Sequence, residues 1–344
     1  MDPRSEVILR QLDSFHGSVL VAGLPADHLA ATLQEQVDSL TGWVWHFDDY
    51  HYLHQQYPEL VHFSAEPPTN MAGQRYDQVI VFLPKSKELT EYLLHRAASH
   101  LNANGHLFLV GEKRAGIERA AKQLQPYGKT LKLDSARHCQ LWQCSLSQEV
   151  KDKPLQQWAK IATLDGAQPL KWVSLPGVFS HGRLDQGTAL LLSHLDKLPK
   201  GDLLDFGCGA GIVGIYLKQK YPQQTVHFLD VDAFALAATR MSLQANGLQE
   251  GQGINLIAGR GIADAPQKLA AIISNPPFHQ GIHTQYQVSE ELLNQAVHHL
   301  NPYGEIRIVA NSFLKYPPLI QARFGHCNTL GQANGFHVYQ AKTR

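Results

Sequence analysis

Long apolar runs are missing from this 344-residue chain, as is the basic start followed by an apolar core that marks a secretory leader. Neither membrane insertion nor export is expected, and the cytoplasm is the expected compartment. Cysteine is scarce: Cys139, Cys144, Cys208 and Cys327 lack the paired spacing of a zinc site, and a chain this long needs no disulfide staples. Net charge is absent too, since 30 basic and 30 acidic side chains cancel, so the totals point to no particular partner. Histidine is plentiful at 19, yet His298 and His299 are neighbours on an expected helix, and His51 and His54 have no acidic or cysteine partner at ligand spacing. No metal site is expected.

What is present is unevenly spread. Residues 1–112 hold 6 basic and 14 acidic residues, net −8; residues 113–173 hold 11 and 5, net +6; the remainder is net +2. A local basic stretch in a neutral protein can face phosphates or be an ordinary solvated face. The length suggests two domains.

Both halves alternate strands with amphipathic helices. In the first, GSVLVAG (Gly17 to Gly23) reads as a strand, Asp27 to Leu40 as a helix, WVWHF (Trp43 to Phe47) and DQVIVFLPK (Asp77 to Lys85) as strands, Glu88 to Leu101 as a helix, and His106 to Gly111 and Cys139 to Cys144 as strands. This is the doubly wound α/β pattern. The order then returns. HLNANGHLFLV (His100 to Val110) aligns with HLNPYGEIRIV (His299 to Val309), and Tyr127-Gly128 and Leu141-Trp142-Gln143 match Phe324-Gly325 and Val338-Tyr339-Gln340 at one constant offset. A tandem duplication is expected, with domains at 1–150 and 171–344 and a polar linker at 151–170.

The differences between the copies locate the chemistry. In the second half the apolar strand IIS runs into Asn275-Pro276-Pro277-Phe278, where the prolines end the ladder. The amide oxygen of Asn275 and the carbonyl of Pro276 can converge as two acceptors beside the flat face of Phe278, a seat for a planar molecule bearing an NH2 group. The first half has Val81 to Lys85 (VFLPK) instead, and VAGLPAD (Val21 to Asp27) replaces the glycine-rich loop. The first domain is read as having kept the fold and lost the site.

That glycine-rich loop is LLDFGCGAGIVG. A strand ends near Asp205, and Gly207, Cys208, Gly209 and Gly211 form a tight turn ahead of a helix. The spacing is GxGxG rather than the dinucleotide GxGxxG, and Ile212 follows. An acid two residues ahead of the first glycine disfavours a pyrophosphate and suits an ammonium, while Asp230, closing the next strand, can accept from a ribose diol. Together these point to S-adenosylmethionine rather than NAD. Upstream, Phe179, Arg183 and Asp185 in PGVFSHGRLDQGT can close over a pocket or cap a helix.

With those motifs in place, the chain resembles the class I S-adenosylmethionine-dependent methyltransferases, and among them the bacterial ribosomal RNA guanine-N2 enzymes. The resemblance spans the whole chain, through LLDFGCGAGIVG, DVDAFAL, NGL (Asn246 to Leu248), IISNPPFHQG, LNPYGEIRIVAN and PGVFSHGRLDQGT. It implies two tandem Rossmann-like methyltransferase domains, the N-terminal one degenerate and the C-terminal one a seven-stranded sheet. It also implies a monomer that methylates the exocyclic N2 of a guanine in 16S ribosomal RNA of the small subunit. Asn275, Pro276 and Phe278 are then the catalytic residues, and Asp205, Gly207, Cys208, Gly209, Gly211 and Asp230 bind the cofactor. Two places depart from the family pattern: Ala270 stands where an acid usually opens the strand, and Gly259-Arg260-Gly261 replaces an acidic or amide residue beside the adenine. The adenine-side contacts are therefore left unassigned.

A guanine amine is a weak nucleophile, so acceptors that hold its two protons and aim its lone pair would do most of the work by orientation. The base would have to leave any stack, and Phe278 would then stack on it. The N-terminal domain would bind and chaperone substrate through its basic segment, or merely cover an apolar face. A protein-glutamine or adenine-N6 methyltransferase would use the same acceptors, and a non-catalytic RNA-binding module is a third reading.

Overall fold

The computed structural model describes residues 1–69, 75–178, 182–276 and 282–344. It divides into two compact units, Met1–Ala159 and Lys160–Arg344.

In the first unit, helix α1 (Pro3–Arg10) precedes strand β1 (Ser18–Ala22), followed by α2 (Leu29–Gln36), β2 (Ser39–Val44), α3 (Phe47–Gln56), β3 (Val61–Phe63) and β4 (Tyr76–Phe82). Then come α4 (Lys87–Ser99), β5 (Leu101–Glu112), α5 (Ile117–Ala121), β6 (Gly128–Ala136) and β7 (Cys139–Leu146). The seven strands lie in the order β3-β2-β1-β4-β5-β7-β6; β7 runs antiparallel to both neighbours, and the others pair in parallel. Val19, Val21, Ile80, Phe82 and Phe108 are buried in its core beneath Val7, Ile8 and Leu33. Asp2 caps α1, accepting the Arg4 N–H at 2.8 Å, and Pro3 starts the helix where no N–H is needed.

WVWHF is not one strand. β2 ends at Val44 and α3 begins at Phe47, with Asp48 and Asp49 in its first turn, where carboxylates favour a helix N-terminus. The Phe47, Tyr50 and Phe63 rings pack at 5.3–5.7 Å, so aromatic contact across the turn, rather than a pleat, explains the run.

The second unit opens with a hairpin of β8 (Lys160–Leu164) and β9 (Leu170–Ser174), and then α6 (Gln186–Leu192). Residues 160–164, which the sequence reading placed in a linker, are thus a strand of this unit. After α6 come β10 (Leu203–Phe206), α7 (Ile212–Lys220), β11 (Val226–Asp230), α8 (Ala233–Ala245), β12 (Ile254–Ala258) and β13 (Leu269–Ser274). The unit closes with α9 (Ile282–His299), β14 (Leu300–Asn311), α10 (Tyr316–Phe324), β15 (Asn328–Ala333) and β16 (Phe336–Lys342). Its main sheet repeats the first unit's order, β12-β11-β10-β13-β14-β16-β15. β10 and β13 are buried along their whole length, as strands at the centre of a parallel sheet should be, with Asp205 and Ser274 the polar side chains among them.

The repeat extends to irregularities. Each copy breaks register at the same point, between Tyr76 and Gln78 in β4 and between Leu269 and Ala271 in β13. Each then makes the same left-handed turn, at Asn104 (φ 64°) and Tyr303 (φ 63°), followed by Gly105 and Gly304. A Cβ on either glycine would meet a backbone carbonyl at 2.8–2.9 Å, so the repeated NxxG turn is sterically required. Further along, Phe108 faces Gln143 and Arg307 faces Gln340, as the aligned repeats require.

Candidate functional site

The C-terminal ends of β10, β11 and β13 lie side by side and deliver the polar residues singled out above. β10 is central: Asp205 faces Phe228 of β11 on one side and Ile273 of β13 on the other. Open parallel sheets bind ligands at this edge, beyond the strand ends where loops diverge.

The glycine loop folds back between β10 and α7. Gly207 and Cys208 both donate to the Leu229 carbonyl, at 2.8 and 3.0 Å, and Gly211 donates to the Cys208 carbonyl at 2.8 Å. Gly207, Gly209 and Gly211 all have positive φ, of 70°, 54° and 84°. Space beyond Gly209 is open: apart from its chain neighbours, no heavy atom of the described residues lies within 4 Å of where its Cβ would stand, whereas a Cβ at Gly211 would meet Thr239 at 3.0 Å. One glycine thus leaves room for a ligand and another lets α7 close on α8.

Asp205 is buried, and its Oδ2 accepts the Gly214 N–H of α7 at 2.8 Å. Burial pushes its carboxyl up to about 7; the Gly214 N–H opposes this and the nearby Asp230 charge adds to it. Asp230 accepts from Gly209 N–H at 2.9 Å through Oδ2 and from Asp232 N–H at 3.0 Å through Oδ1, tying the glycine loop to the end of β11. Cys208 is buried, its thiol pushed up by desolvation and by the Asp230 and Asp205 charges, and its sulfur sits 3.4 Å from Thr239 Oγ1. That thiol is a packing group of the loop.

Asn275 follows β13 directly. Its Nδ2 donates to Thr188 Oγ1 at 2.8 Å and to Asp185 Oδ2 at 3.1 Å, while its Oδ1 is buried and has no hydrogen-bond partner among the described residues. Asp185 also caps α6, accepting from Thr188 N–H at 3.0 Å. Pro276 is buried beside it. Phe278 and Phe179 lie outside the described residues. The sequence offers Asp185 as a cap or a pocket residue and Thr188 only as the end of PGVFSHGRLDQGT; their link to Asn275 joins positions about 90 residues apart, which no local pattern signals.

Neither departure from the family pattern leaves a loose end. Ala270 is buried and donates its N–H to the Asp202 carbonyl at 2.8 Å, and Arg260 is held by Asp264, which also accepts the Arg260 N–H at 2.7 Å. Among the described residues, no three histidine, cysteine or acidic side chains gather as a metal site would require.

The sheet registers show what the first unit has in the same places. Val21 pairs with Ile80 as Asp205 pairs with Ile273, which matches Phe82 to Asn275 and Leu83 to Pro276. Val44, at the end of β2, stands where Asp230 ends β11. All three polar positions are apolar and buried. Arg4 lies over the Phe82 ring, 5.2 Å from its centroid, and donates to the Leu83 carbonyl at 3.4 Å while paired with Asp2. In the first unit, the place of the acceptor pair is sealed from within.

The chain's relatives fit this geometry. The methyltransferase small domain family matches residues 169–340, and the methyltransferase small domain N-terminal family matches residues 5–161. Ribosomal RNA small subunit methyltransferase C of Ectopseudomonas mendocina is 55% identical over 99% of this chain and 100% of its own length; that of Pseudomonas aeruginosa is 54% identical over 99% of each. Among solved structures, the T. thermophilus 16S rRNA N2 G1207 methyltransferase, in complex with AdoMet and guanosine, superposes with a TM-score of 0.84 at 22% identity, covering 100% of this chain and 92% of its own.

Proposed function

The chain belongs to the ribosomal RNA small subunit methyltransferase C family, and we propose that it transfers a methyl group from S-adenosylmethionine to the exocyclic N2 amine of a guanine in 16S ribosomal RNA. The observation that carries the choice of an amine is Asn275 Oδ1, a buried acceptor with no partner among the described residues, at the end of the strand beside the glycine cradle. A buried unsatisfied oxygen is costly, and a substrate N–H is the natural group to satisfy it.

The cradle suits the cofactor. Asp205 would face its ammonium, Asp230 its ribose diol, and the open space at Gly209 admits its backbone-side approach. When bound, S-adenosylmethionine supplies an electrophilic methyl on a sulfonium that is already a good leaving group. The protein's own task is then orientation. Asn275 Oδ1 and the Pro276 carbonyl would accept hydrogen bonds from the two amine N–H groups, turning the nitrogen lone pair toward the methyl, and Phe278 would stack on the extruded base; the extra proton is lost to solvent after transfer. No general base is needed ahead of transfer.

The N-terminal unit, with its own site replaced, would serve the substrate instead. Arg119 on α5, Lys113 and Lys122 in the turns before and after it, and Lys129 and Lys132 on the outer strand β6 are exposed, and this supports phosphate binding there. The duplicated architecture supports a single chain as the working unit, and a ribosomal substrate supports a cytoplasmic site of action; no helix among the described residues is long and apolar enough to cross a membrane.

The test is transfer of labelled methyl from S-adenosylmethionine to small subunits, free 16S RNA and protein extract, with nucleoside and amino-acid analysis. Label in N2-methylguanosine is expected, and Asn275→Ala should abolish it while cofactor binding survives. Label in N6-methyladenosine or methylglutamine would overturn the substrate.

A further inference from the structure

We propose that Asp185 and Thr188 are positioning residues that fix which end of the Asn275 amide faces the substrate. This rests on the reading of Asn275 given above. An asparagine side chain has an oxygen and a nitrogen of nearly equal size, and only its surroundings decide which way round it sits. A reversed amide at position 275 would present two N–H donors to the substrate amine, repelling the group it is meant to hold.

The surroundings here allow one orientation. The Asp185 carboxylate can only accept, so the atom of Asn275 lying 3.1 Å away must be nitrogen. Thr188 Oγ1 receives the second Asn275 proton at 2.8 Å, and its own hydroxyl proton points on to Asp185 Oδ2 at 3.4 Å. Every bond in the triangle therefore runs the same way, from Asn275 through Thr188 to Asp185. Reversing the amide would set oxygen against carboxylate and cost both donated bonds. Both Asn275 protons are consumed internally, and Oδ1 is left over, buried and unpartnered among the described residues.

The lock is anchored by the helix it sits on. Asp185 is the cap of α6 in extended conformation, and its Oδ2 also holds Thr188 N–H at 3.0 Å, so helix start and amide polarity share one atom. A Cβ at Gly187 would stand 3.0 Å from that same oxygen and 3.1 Å from the Phe336 ring, which explains the glycine between the two lock residues.

The experiment uses the full chain and compares kcat, KM for small subunits, the dissociation constant of S-adenosylmethionine and the melting temperature across two sets of variants. Thr188→Val and Asp185→Ser each remove an oxygen from reach of Asn275, although serine still caps a helix. Together they should lower kcat by about tenfold or more, the equivalent of losing roughly one charge-assisted hydrogen bond, with cofactor affinity within about twofold of the parent. Thr188→Ser keeps the hydroxyl and should retain kcat within about threefold, whereas Asp185→Asn keeps an oxygen but loses the charge and should fall between it and the double variant. An unchanged kcat in the double variant, with Asn275→Ala inactive, would overturn the lock and leave the site reading intact. Loss of activity in all four single variants together with lower melting temperature or cofactor affinity would also overturn it, by making the role structural. An active Asn275→Ala would instead overturn the site reading beneath it.

Discussion

Phe82 and Asn275 occupy the same place in two sheets of identical strand order: each lies two residues beyond the partner of the β1 or β10 position taken by Val21 or Asp205. One is an apolar ring covered by a guanidinium from its own unit, and the other an amide whose oxygen has no partner among the described residues. Duplication kept the frame and let the contents diverge.

Restoring polar residues to the first unit should therefore not restore a site. Val21→Asp would bury a carboxylate where the native side chain is fully buried, at a cost of about 3 kcal/mol or more. A lower denaturation midpoint is expected, and calorimetric titration of Phe82→Asn should still show one cofactor site per chain.

Asp205 is expected to make stability, and in the proposed site cofactor affinity, depend on pH. Its carboxyl is raised from 3.8 to about 7 by burial, so between those values the folded protein binds more protons than the unfolded chain, and stability falls as pH rises through that window. An ammonium facing Asp205 favours the ionised form. Cofactor binding at pH 6.5 should release a proton, read as a dependence of the calorimetric heat on buffer ionisation enthalpy, and Asp205→Asn should reduce that release, leaving only the share of Asp232, whose carboxyl burial and the Asp230 charge also raise to about 7.

Asp230→Ala removes the acceptor of the Gly209 N–H as well as the proposed diol partner. Two lost hydrogen bonds to a carboxylate predict a dissociation constant for S-adenosylmethionine raised by at least about tenfold, roughly 1.4 kcal/mol. Equilibrium titration checks it; an unchanged constant would remove Asp230 from the cofactor site.

Gly214→Ala sets two effects against each other. Alanine is the better helix former by about 1 kcal/mol, but its Cβ would stand 2.2 Å from the Phe228 ring on β11. Overpacking of a core costs about 1–3 kcal/mol, so a net lower melting temperature is expected. Because Gly214 N–H also holds Asp205, weaker cofactor binding should accompany it.

The parts legible in the sequence were those fixed by backbone sterics or by continuous burial. The glycine loop, the strand before Asn275 and the paired NxxG turns fall in this class, and they carried the fold and the repeat. The parts not legible depended on contacts distant in sequence. Trp43 to Phe47 alternates like a strand, but Phe63 draws Phe47 into a helix start. Helix α1 was missed although Asp2-Pro3 is a start signal, and the seal that Arg4 makes on Phe82 could not be read without the sheet that brings them together. Asp185 could be read as a cap, but its grip on Asn275 depends on α6 crossing the end of β13.

The paired turns offer one thing more. At the same left-handed position the chain holds asparagine in one copy and Tyr303, 75% exposed, in the other. A left-handed conformation costs most side chains about 1–2 kcal/mol, and asparagine less. The first half thus carries a repair for the second: grafting its asparagine as Tyr303→Asn should raise the melting temperature, an improvement drawn from the protein's own internal ancestry.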